Sequence, residues 1–427
     1  MPATTDTATL ALACRECGAT YPAEPRSICE ECFGPLEPTY DLEALAPTRE
    51  SIEAGPPSLW RYRPLLPVTP DEEPVDLGAG WTPLRRAPRL GAALGLPDLW
   101  LKDDTVNPTG AFKDRVVSVA LTKARSFGFG TVACASTGNL ANATAAAAAA
   151  SGLDCYVFIP ADLERAKVVA TAAFGAKVVA VEGTYDDVNR LCSEVADALP
   201  WALVNVNVRP YYAEGSKTLA FETAEQLGWR LPDHVVVPVA SGALMTRIGR
   251  GFGQLVEAGL VEHHAVRISG AQATGCAPVA TAFKAGTDEV QPVKPTGIAK
   301  SLAIGSPADG HYAVRLATET GGAIDDVSDE EIVDAIRLLA STEGLFAETA
   351  GGVTIGVLRK LASAGVVHPD ETVVAYVTGN GFKTIEALEG RLGPWATVPP
   401  SLDAFLETIE GEATSRREVS EEAKEEA

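Results

Sequence analysis

Residues 131–160 contain the pattern that decides the fold: Thr-Val-Ala-Cys-Ala-Ser-Thr-Gly-Asn-Leu-Ala-Asn-Ala-Thr, six alanines, and Ser-Gly-Leu-Asp-Cys-Tyr-Val-Phe-Ile-Pro. Two short apolar runs, 131–135 and 155–159, have the length and composition of buried strands. The alanine-rich segment between them is a helix former without bulky side chains, so it can lie close to a neighbouring backbone. The stretch therefore predicts a strand–helix–strand unit with two parallel strands.

The same alternation continues on both sides of this unit. Further short apolar runs bounded by Gly, Pro or Asp predict strands at 99–102, 177–181, 202–206, 235–239, 265–269 and 372–377. Longer amphipathic segments predict helices at 113–127, 140–151, 165–174, 185–199, 216–227 and 330–343. Repeated alternation of this kind predicts an α/β fold with parallel sheets covered by helices on both faces.

The composition bounds the class of protein. The 427 residues are 46% hydrophobic and 22% charged, which is typical of a folded chain of two or three domains. The formal net charge of −22 repels phosphate backbones and anionic lipid, so neither nucleic acid nor a membrane surface is expected as a partner. The sequence shows no apolar stretch long enough to span a membrane and no secretory signal after Met1. We therefore expect a cytoplasmic protein.

Four of the eight cysteines lie in two Cys-x-x-Cys pairs separated by eleven residues: Cys14, Cys17, Cys29 and Cys32. Thiolates at this spacing can close a tetrahedral Zn²⁺ site, and four of them leave no open coordination position, which favours a structural metal. A small zinc-ribbon-like segment is therefore predicted. Two other interpretations stay open: a relic of such a ribbon without metal, and a disulfide pair, which a reducing cytoplasm disfavours.

One loop after a predicted strand places a lysine at the start of a helix. Residues 107–115 read Asn-Pro-Thr-Gly-Ala-Phe-Lys-Asp-Arg, so Lys113 opens the predicted helix. A lysine at this edge of a sheet can form a Schiff base if its surroundings are dry and cationic, and Arg115 could supply such a cation. Without other evidence, a Lys-Asp-Arg sequence at a helix start is more commonly a solvated turn.

Three further loops follow predicted strands, at the edge where open α/β sheets bind ligands. Residues 136–139, Ser-Thr-Gly-Asn, place two hydroxyls and several N–H groups at a helix N-terminus, which suits a carboxylate or a phosphate. Residues 241–246, Ser-Gly-Ala-Leu-Met-Thr, could hold a phosphate in the same way. Residues 378–381, Thr-Gly-Asn-Gly, place a hydroxyl after the last strand. Helix capping or a simple turn would explain each loop equally well.

In combination these motifs resemble the threonine synthases, a family of fold type II, tryptophan-synthase-like pyridoxal-phosphate enzymes. The resemblance rests on ordered motifs and extends through further segments: 107–115, 136–139, 212–218, 270–275, 304–309 and 378–381. It covers about residues 81–383 and implies two doubly wound parallel-sheet domains. Many members of the family also carry a cysteine-rich N-terminal ribbon.

The resemblance implies a role for each matching residue. Lys113 would be the catalytic Schiff-base lysine, Asn139 would hydrogen-bond the 3′-oxygen of pyridoxal 5′-phosphate, and Thr378 would contact its pyridine nitrogen. The cofactor phosphate would lie in a loop of five residues: Ser241, Gly242, Ala243, Leu244 and Met245. This loop departs from the common Gly-Asn-x-Gly-Asn pattern of the family, although a backbone cradle remains.

The reaction implied is conversion of O-phospho-L-homoserine and water into L-threonine and phosphate, by γ-elimination and β-addition. Ser136 and Thr137 would bind the substrate carboxylate. The dianionic phosphate needs local donors in an acidic protein, and the candidates are Lys102, Arg115, Arg209 and Lys217, with Asn207 as a neutral donor. A surface ion pair is the alternative interpretation of each cation.

Other functions stay open on the sequence. Another enzyme of the same fold, either a threonine or serine dehydratase or a phosphoserine-using, sulfur-adding synthase, would share Lys113 and Asn139. A zinc-ribbon interaction protein with an inactive enzyme-like body is the non-enzymatic alternative, which the intact lysine and loops disfavour. We expect a homodimer, because this fold often pairs as dimers.

The predicted organisation has three parts. Residues 1–40 form the cysteine-rich ribbon, and residues 41–409 form the catalytic body, in which a smaller subdomain of about 115–205 is inserted into a larger one. Residues 410–427 contain seven Glu against three basic residues and no aromatic residue. Such a composition predicts an acidic, disordered tail.

Overall fold

The computed structural model describes residues 10–136, 138–161, 165–183 and 185–409. The chain divides between Thr384 and Ile385 into two compact units. The first unit contains three sheets, and the second contains a helix over residues 402–409. The predicted tail, 410–427, lies outside the described residues, and the predicted domain limits stay predictions.

The strands are, in chain order, β1 (Leu10–Cys14), β2 (Thr20–Pro22), β3 (Leu36–Tyr40), β4 (Leu84–Arg86), β5 (Leu99–Asp103), β6 (Thr131–Ala135), β7 (Asp154–Pro160), β8 (Lys177–Val181), β9 (Ala202–Leu203), β10 (His234–Pro238), β11 (Arg267–Ala273), β12 (Ile324–Val327) and β13 (Val373–Val377). The α-helices are α1 (Leu42–Leu45), α2 (Arg49–Glu53), α3 (Pro88–Leu94), α4 (Lys113–Ser126), α5 (Asn139–Ser151), α6 (Arg165–Ala172), α7 (Tyr185–Ala198), α8 (Arg209–Glu214), α9 (Thr218–Gln226), α10 (Ala243–Glu257), α11 (Pro278–Lys284), α12 (Gly310–Thr320), α13 (Asp329–Glu343) and α14 (Thr349–Ser363).

The first three strands form a small antiparallel sheet in the order β2-β1-β3. β1 pairs with β3 along its whole length, from Leu10 opposite Tyr40 to Cys14 opposite Leu36. Gly18, in the turn that leads to β2, has a φ of 75°, which a residue with a Cβ adopts only with strain. This sheet holds the first Cys-x-x-Cys pair in a tight turn. We call residues 10–40 the ribbon.

A four-stranded parallel sheet has the order β8-β7-β6-β9. Its central strands are those that residues 131–160 predict, with Ala135 opposite Phe158. Helix α5 connects them and buries Ala141, Ala145 and Ala148. Because these side chains are single methyl groups, the helix can approach the sheet closely.

A six-stranded sheet has the order β12-β11-β10-β13-β5-β4, and all its neighbours are parallel except the antiparallel edge strand β4. Val377 at the end of β13 lies opposite Asp103 at the end of β5. The loops that follow these two strands therefore start side by side. The two parallel sheets with their helices confirm the predicted fold class, whereas the edge strands β4 and β12 were not predicted.

The ribbon shares a core with the catalytic body. Leu12 and Leu36 belong to the same buried apolar cluster as Val116 of α4 and Val132 of β6. The six-stranded sheet has its own cluster, in which Val235 of β10 packs with residues of α9 and α10. Burial of apolar area of this kind is the main stabilising contribution to folding, so the ribbon is held to the body by packing as well as by charges.

Candidate active site

Backbone pairing joins the loops after β5 and β13. Ala111 forms an isolated antiparallel bridge with Gly379, and the Phe112 N–H donates to the Thr378 carbonyl at 2.9 Å. The Asp114 carboxylate accepts hydrogen bonds from the N–H and the hydroxyl of Thr109, both at 2.8 Å. Burial raises the pKa of Asp114 to about 6. These contacts fix the start of α4, and with it Lys113, beside Thr378.

Lys113 is the first residue of α4 and is half-buried. Its Nζ donates to the hydroxyl of Tyr212 at 2.7 Å and lies 4.6 Å from the centroid of the Phe112 ring. Within the described ranges, no carboxylate forms an ion pair with Lys113. The amine therefore lies in a partly desolvated position with one neutral partner. Tyr212 begins the 212–218 segment of the resemblance, but the sequence analysis gave it no role.

The loop before α5 brings a second group to this edge. Ser136 is buried, and its hydroxyl accepts the Gly138 N–H at 3.3 Å; Thr137 lies outside the described residues. The Asn139 side-chain nitrogen donates to both oxygens of Glu348, at 3.0 and 3.2 Å. A primary amide nitrogen carries two hydrogens and its oxygen is an acceptor, so Asn139 retains capacity for a ligand.

Glu348 is a functional candidate that the sequence analysis missed. It is 2% exposed and precedes α14. Its N–H donates to the Gly379 carbonyl at 2.9 Å, and a Cβ on Gly379 would collide with its carboxylate. Glu348 thus connects Asn139, at the edge of the four-stranded sheet, with the loop after β13. The small residues that follow it, Thr-Ala-Gly-Gly, were the available signal, since they allow close approach at a helix start.

Thr378 is 3% exposed and lies directly after β13. Among the described residues its hydroxyl has no hydrogen-bond partner, although its carbonyl is used by Phe112. This hydroxyl is not among the fully enclosed polar atoms that lack a partner, so it is accessible to a ligand. The position therefore fits an additional hydrogen-bonding group beside the loops of Lys113 and Glu348.

The loop of residues 241–245 forms a backbone cradle at the start of α10. Gly242 has a φ of 93°, and a Cβ there would lie 2.5 Å from the Asp309 carbonyl oxygen. Asp309 in turn donates its N–H to the Ser241 carbonyl at 2.8 Å. The Ala243 N–H is 3.4 Å from the Ser241 hydroxyl oxygen, and the N–H groups of Leu244 and Met245 have no acceptor within the helix. These donors and the helix dipole fit a phosphate group.

Two candidates for the substrate phosphate, the neutral Asn207 and the partly exposed Arg209, lie in or next to the turn after β9. Asn207 donates to the Trp201 carbonyl at 3.0 Å and accepts the Leu203 N–H at 2.9 Å, which holds the turn after β9. Arg209 donates to Asp309 at 2.7 Å, and 35% of its side chain is exposed. Arg209 therefore reaches the residue that supports the 241–245 loop and remains open to solvent.

Arg115, on α4, and Lys102, on β5, belong to one buried network of ion pairs. Arg115 is fully buried and pairs with Asp104 and Glu222, with further hydrogen bonds to Thr82 and Thr218. The Lys102 Nζ is 2.6 Å from the same Glu222. Burial alone would raise the pKa of Glu222, but the two cations lower it to about 2. These contacts favour a structural role for Arg115 and Lys102.

Lys217 lies in a second closed network, under the ribbon. It is 1% exposed, pairs with Glu214 and donates to Gln254 at 2.7 Å. Its Nζ is 4.2 Å from the centroid of the Tyr40 ring, on the last ribbon strand. Burial lowers the pKa of Lys217 to about 8 even though Glu214 raises it. Its contacts too favour a structural role.

The four ribbon cysteines form a compact cluster. Their Sγ atoms all lie within 4.8 Å of one another, with 3.4 Å between Cys14 and Cys32 and 3.6 Å between Cys17 and Cys29. A tetrahedral Zn²⁺ site with Zn–S bonds of about 2.3 Å has sulfur atoms about 3.8 Å apart. Three backbone N–H groups point at the sulfurs, each at 3.4 Å. The cluster could therefore hold a metal ion.

The ribbon also contacts Asp309, whose N–H supports the 241–245 loop. Arg15, next to Cys14, is 3.2 Å from Glu37 and 3.5 Å from Asp309. Its guanidinium lies 3.4 Å from the centroid of the Tyr312 ring. Asp309 ends the 304–309 segment of the resemblance, although the sequence analysis gave it no role. It receives Arg15 from the ribbon and Arg209 from the turn after β9.

The fold and the site define a class of enzyme. The family described as pyridoxal-phosphate dependent enzyme matches residues 75–379. The chain is similar to the threonine deaminase isoform 2 of tomato (Solanum lycopersicum), with a TM-score of 0.60, 21% identity, and coverage of 73% of this chain and 88% of that one. At this identity the likeness concerns the fold.

Curated relatives narrow the class. The threonine synthase of Methanosarcina acetivorans is 36% identical over 94% of this chain and 99% of that protein. The threonine synthase of Methanocaldococcus jannaschii is 36% identical over 88% of this chain and 93% of that protein. The chain belongs to the threonine synthase family of pyridoxal-phosphate-dependent enzymes, which confirms the resemblance of the motifs.

Among the described residues, none of the helices combines the length and apolarity needed to cross a membrane.

Proposed function

We propose that the protein converts O-phospho-L-homoserine and water into L-threonine and phosphate, with pyridoxal 5′-phosphate held covalently by Lys113. The observation that carries the proposal is the half-buried amine of Lys113 at the edge of the sheet, paired with a neutral hydroxyl. A lysine in such a position can act as a nucleophile and as a base. Family membership supplies the class of reaction.

Several groups support cofactor binding at this edge. The cradle of Ser241, Gly242, Ala243, Leu244 and Met245 would hold the cofactor phosphate through its N–H groups. Thr378, whose hydroxyl has no partner among the described residues, would contact the pyridine nitrogen. Asn139, oriented by Glu348, would hydrogen-bond the 3′-oxygen. When bound, the cofactor supplies an electron sink for negative charge on the substrate.

The residues of the chain would bind the substrate and move its protons. Ser136, Thr137 and the N–H groups after them would bind the substrate carboxylate. The Lys113 amine would take one proton from Cα and one from Cβ, and would return one to Cα. The Cγ–O bond breaks and phosphate leaves with the electron pair, water adds to Cβ and loses a proton, and Cγ gains a proton to become the methyl group of threonine.

For the substrate phosphate, Arg209 is the candidate that the contacts support. Its guanidinium is partly exposed and pairs with one carboxylate, Asp309, so it retains N–H groups for a phosphate. Asn207 would contribute by holding the turn that positions Arg209. Arg115 and Lys217 are assigned structural roles in this proposal, since both are buried and paired with carboxylates.

We further propose a structural Zn²⁺ at Cys14, Cys17, Cys29 and Cys32, supported by the spacing of their Sγ atoms. A cytoplasmic location is proposed on the sequence analysis, and a homodimer on the resemblance of the motifs alone. The proposal includes neither nucleic acid nor a membrane as a partner, in keeping with the net charge of −22.

Phosphate release from O-phospho-L-homoserine by the purified, cofactor-loaded protein tests the function. We expect phosphate and threonine in equal amounts, and a loss of roughly ten-thousandfold in kcat for Lys113→Ala. Lys300→Ala, which removes an exposed lysine, is the matched control and should keep wild-type activity. A loaded protein that forms a keto acid from threonine or serine and releases no phosphate would instead be a dehydratase.

A further inference from the structure

Tyr212 is the hydrogen-bond partner of the proposed catalytic amine. The distance from Lys113 Nζ to Tyr212 Oη is 2.7 Å, and among the described residues the amine has no other hydrogen-bond partner. The Tyr212 ring is half-buried. Tyr212 itself is not among the cofactor and substrate residues discussed above.

Close backbone packing fixes the separation of these two side chains. Tyr212 lies on α8, and its N–H donates to the Val208 carbonyl at 3.1 Å. Three residues later, a Cβ on Gly215 would lie 2.5 Å from the Arg115 carbonyl oxygen and 2.6 Å from the Val116 Cα. The end of α8 therefore lies directly against the first turn of α4, which carries Lys113.

The neighbouring Tyr211 shows what a structural tyrosine does on the same helix. Tyr211 is fully buried, and its hydroxyl donates to the Glu24 carbonyl of the ribbon at 2.8 Å. Its ring packs edge-on against Phe127 at the far end of α4. Adjacent hydroxyls on α8 are thus directed to two destinations, one to the ribbon and one to the catalytic lysine.

We propose that Tyr212 is a positioning residue that orients the Lys113 amine for proton transfer whenever that amine is not covalently held. A neutral hydroxyl can accept a hydrogen bond from the ammonium and donate one to the lone pair of the amine, whereas an ionised carboxylate only accepts and would favour the ammonium. Tyr212 can therefore keep its contact with Lys113 in both protonation states. This inference rests on the proposed function, in which Lys113 moves protons at two substrate carbons.

Tyr212→Phe in the cofactor-loaded enzyme tests the inference, with Tyr211→Phe as the matched control. We expect kcat for phosphate release to fall about ten- to hundredfold in Tyr212→Phe, with KM changed less than about threefold, because the substrate ligands are elsewhere. Tyr211→Phe should keep wild-type kcat while lowering the unfolding temperature. A fall in kcat that is equal in both variants would overturn the proposal.

A second measurement, on cofactor-free protein, does not depend on the reaction. Acetylation of Lys113 by acetic anhydride is followed by mass spectrometry at neutral pH. Removal of the hydroxyl in Tyr212→Phe should raise the labelling rate of Lys113 about two- to tenfold, with Lys300 as the internal reference and no change in Tyr211→Phe. Equal Lys113 rates in all three proteins would show that the pair does not form. If the wild type releases no phosphate yet these rates differ, the proposed function fails and the contact stands.

Discussion

Lys113 and Arg115 are separated by one residue on the same helical turn, yet they occupy opposite environments. Lys113 is half-buried, with a neutral hydroxyl as its partner. Arg115 is fully buried between Asp104 and Glu222. Successive residues of a helix point in directions about 100° apart, so two positions are enough to turn a side chain from the edge of the sheet to the interior. A motif can thus contain a reactive group and a structural charge side by side.

The largest expected effect comes from breaking the buried network. Arg115→Met should lower the free energy of unfolding by about 3–5 kcal/mol, because it leaves Asp104 and Glu222 buried without their main cation. Urea unfolding of the cofactor-free protein measures this change. The comparison variant is Arg209→Met, whose partly exposed ion pair should contribute less than about 1 kcal/mol to stability.

The same two variants should rank in the opposite order when substrate binding is measured instead of stability. Arg209→Met should raise KM for O-phospho-L-homoserine while the protein stays folded. Arg115→Met, assayed well below its unfolding temperature, should keep a KM near that of the wild type. If Arg115→Met were as stable as the wild type and bound the substrate poorly, our assignment of Arg115 would be wrong.

A smaller effect is expected from pH. Glu222 has a folded-state pKa of about 2 against an ordinary value of 4.5, because Arg115 and Lys102 favour its charged form against the cost of burial. As the pH falls, the unfolded chain therefore binds the proton first. The contribution of the charged Glu222 to stability, about 3 kcal/mol, is complete above about pH 4.5 and is lost as the pH falls to about 2.

Glu222→Gln isolates this contribution from that of the other carboxylates. The difference in unfolding free energy between wild type and variant, measured in urea at several values of pH, should be largest near neutrality and shrink below pH 4.5. A difference independent of pH would contradict a charged Glu222 in the folded state.

The smallest expected effect comes from the proposed cofactor site, to which Lys113 belongs. Gly242→Ala should weaken cofactor binding about tenfold, or about 1.4 kcal/mol, because the added Cβ meets the Asp309 carbonyl and a φ of 93° disfavours it. Fluorescence titration of the cofactor-free protein measures this affinity. Gly253→Ala, in the same helix with open space around it, should keep the affinity and gain about 0.5–1 kcal/mol of stability. If the two variants bound the cofactor with equal affinity, residues 241–245 would not be part of the cofactor site.

The strands of the central unit illustrate how far the sequence predicts the fold. The strands at 131–135 and 177–181 are observed with the predicted bounds, because both are short apolar runs rich in β-branched residues. The first is buried along most of its length, whereas the second is a partly exposed edge strand. β12 reads Ile-Asp-Asp-Val. Its two half-buried aspartates interrupt the apolar run, so the sequence did not predict a strand there. Helix α14 was not predicted either, since its Gly351, Gly352 and Gly356 disfavour a helix in isolation. Contact with β13 and α13 stabilises it in the folded chain.

The sequence by itself determined the α/β alternation, the four-cysteine cluster, the family, and the loops that meet at the edge of the sheets. These follow from local periodicity and from residue spacing along the chain. Only the tertiary structure decided which cations are buried in ion-pair networks, that Asn139 is paired with Glu348, and that Tyr212 contacts Lys113 and Asp309 contacts the 241–245 loop. Several such contacts join residues about 100 to 210 positions apart, and the burial that distinguishes a reactive lysine from a structural one exists only after distant segments pack together.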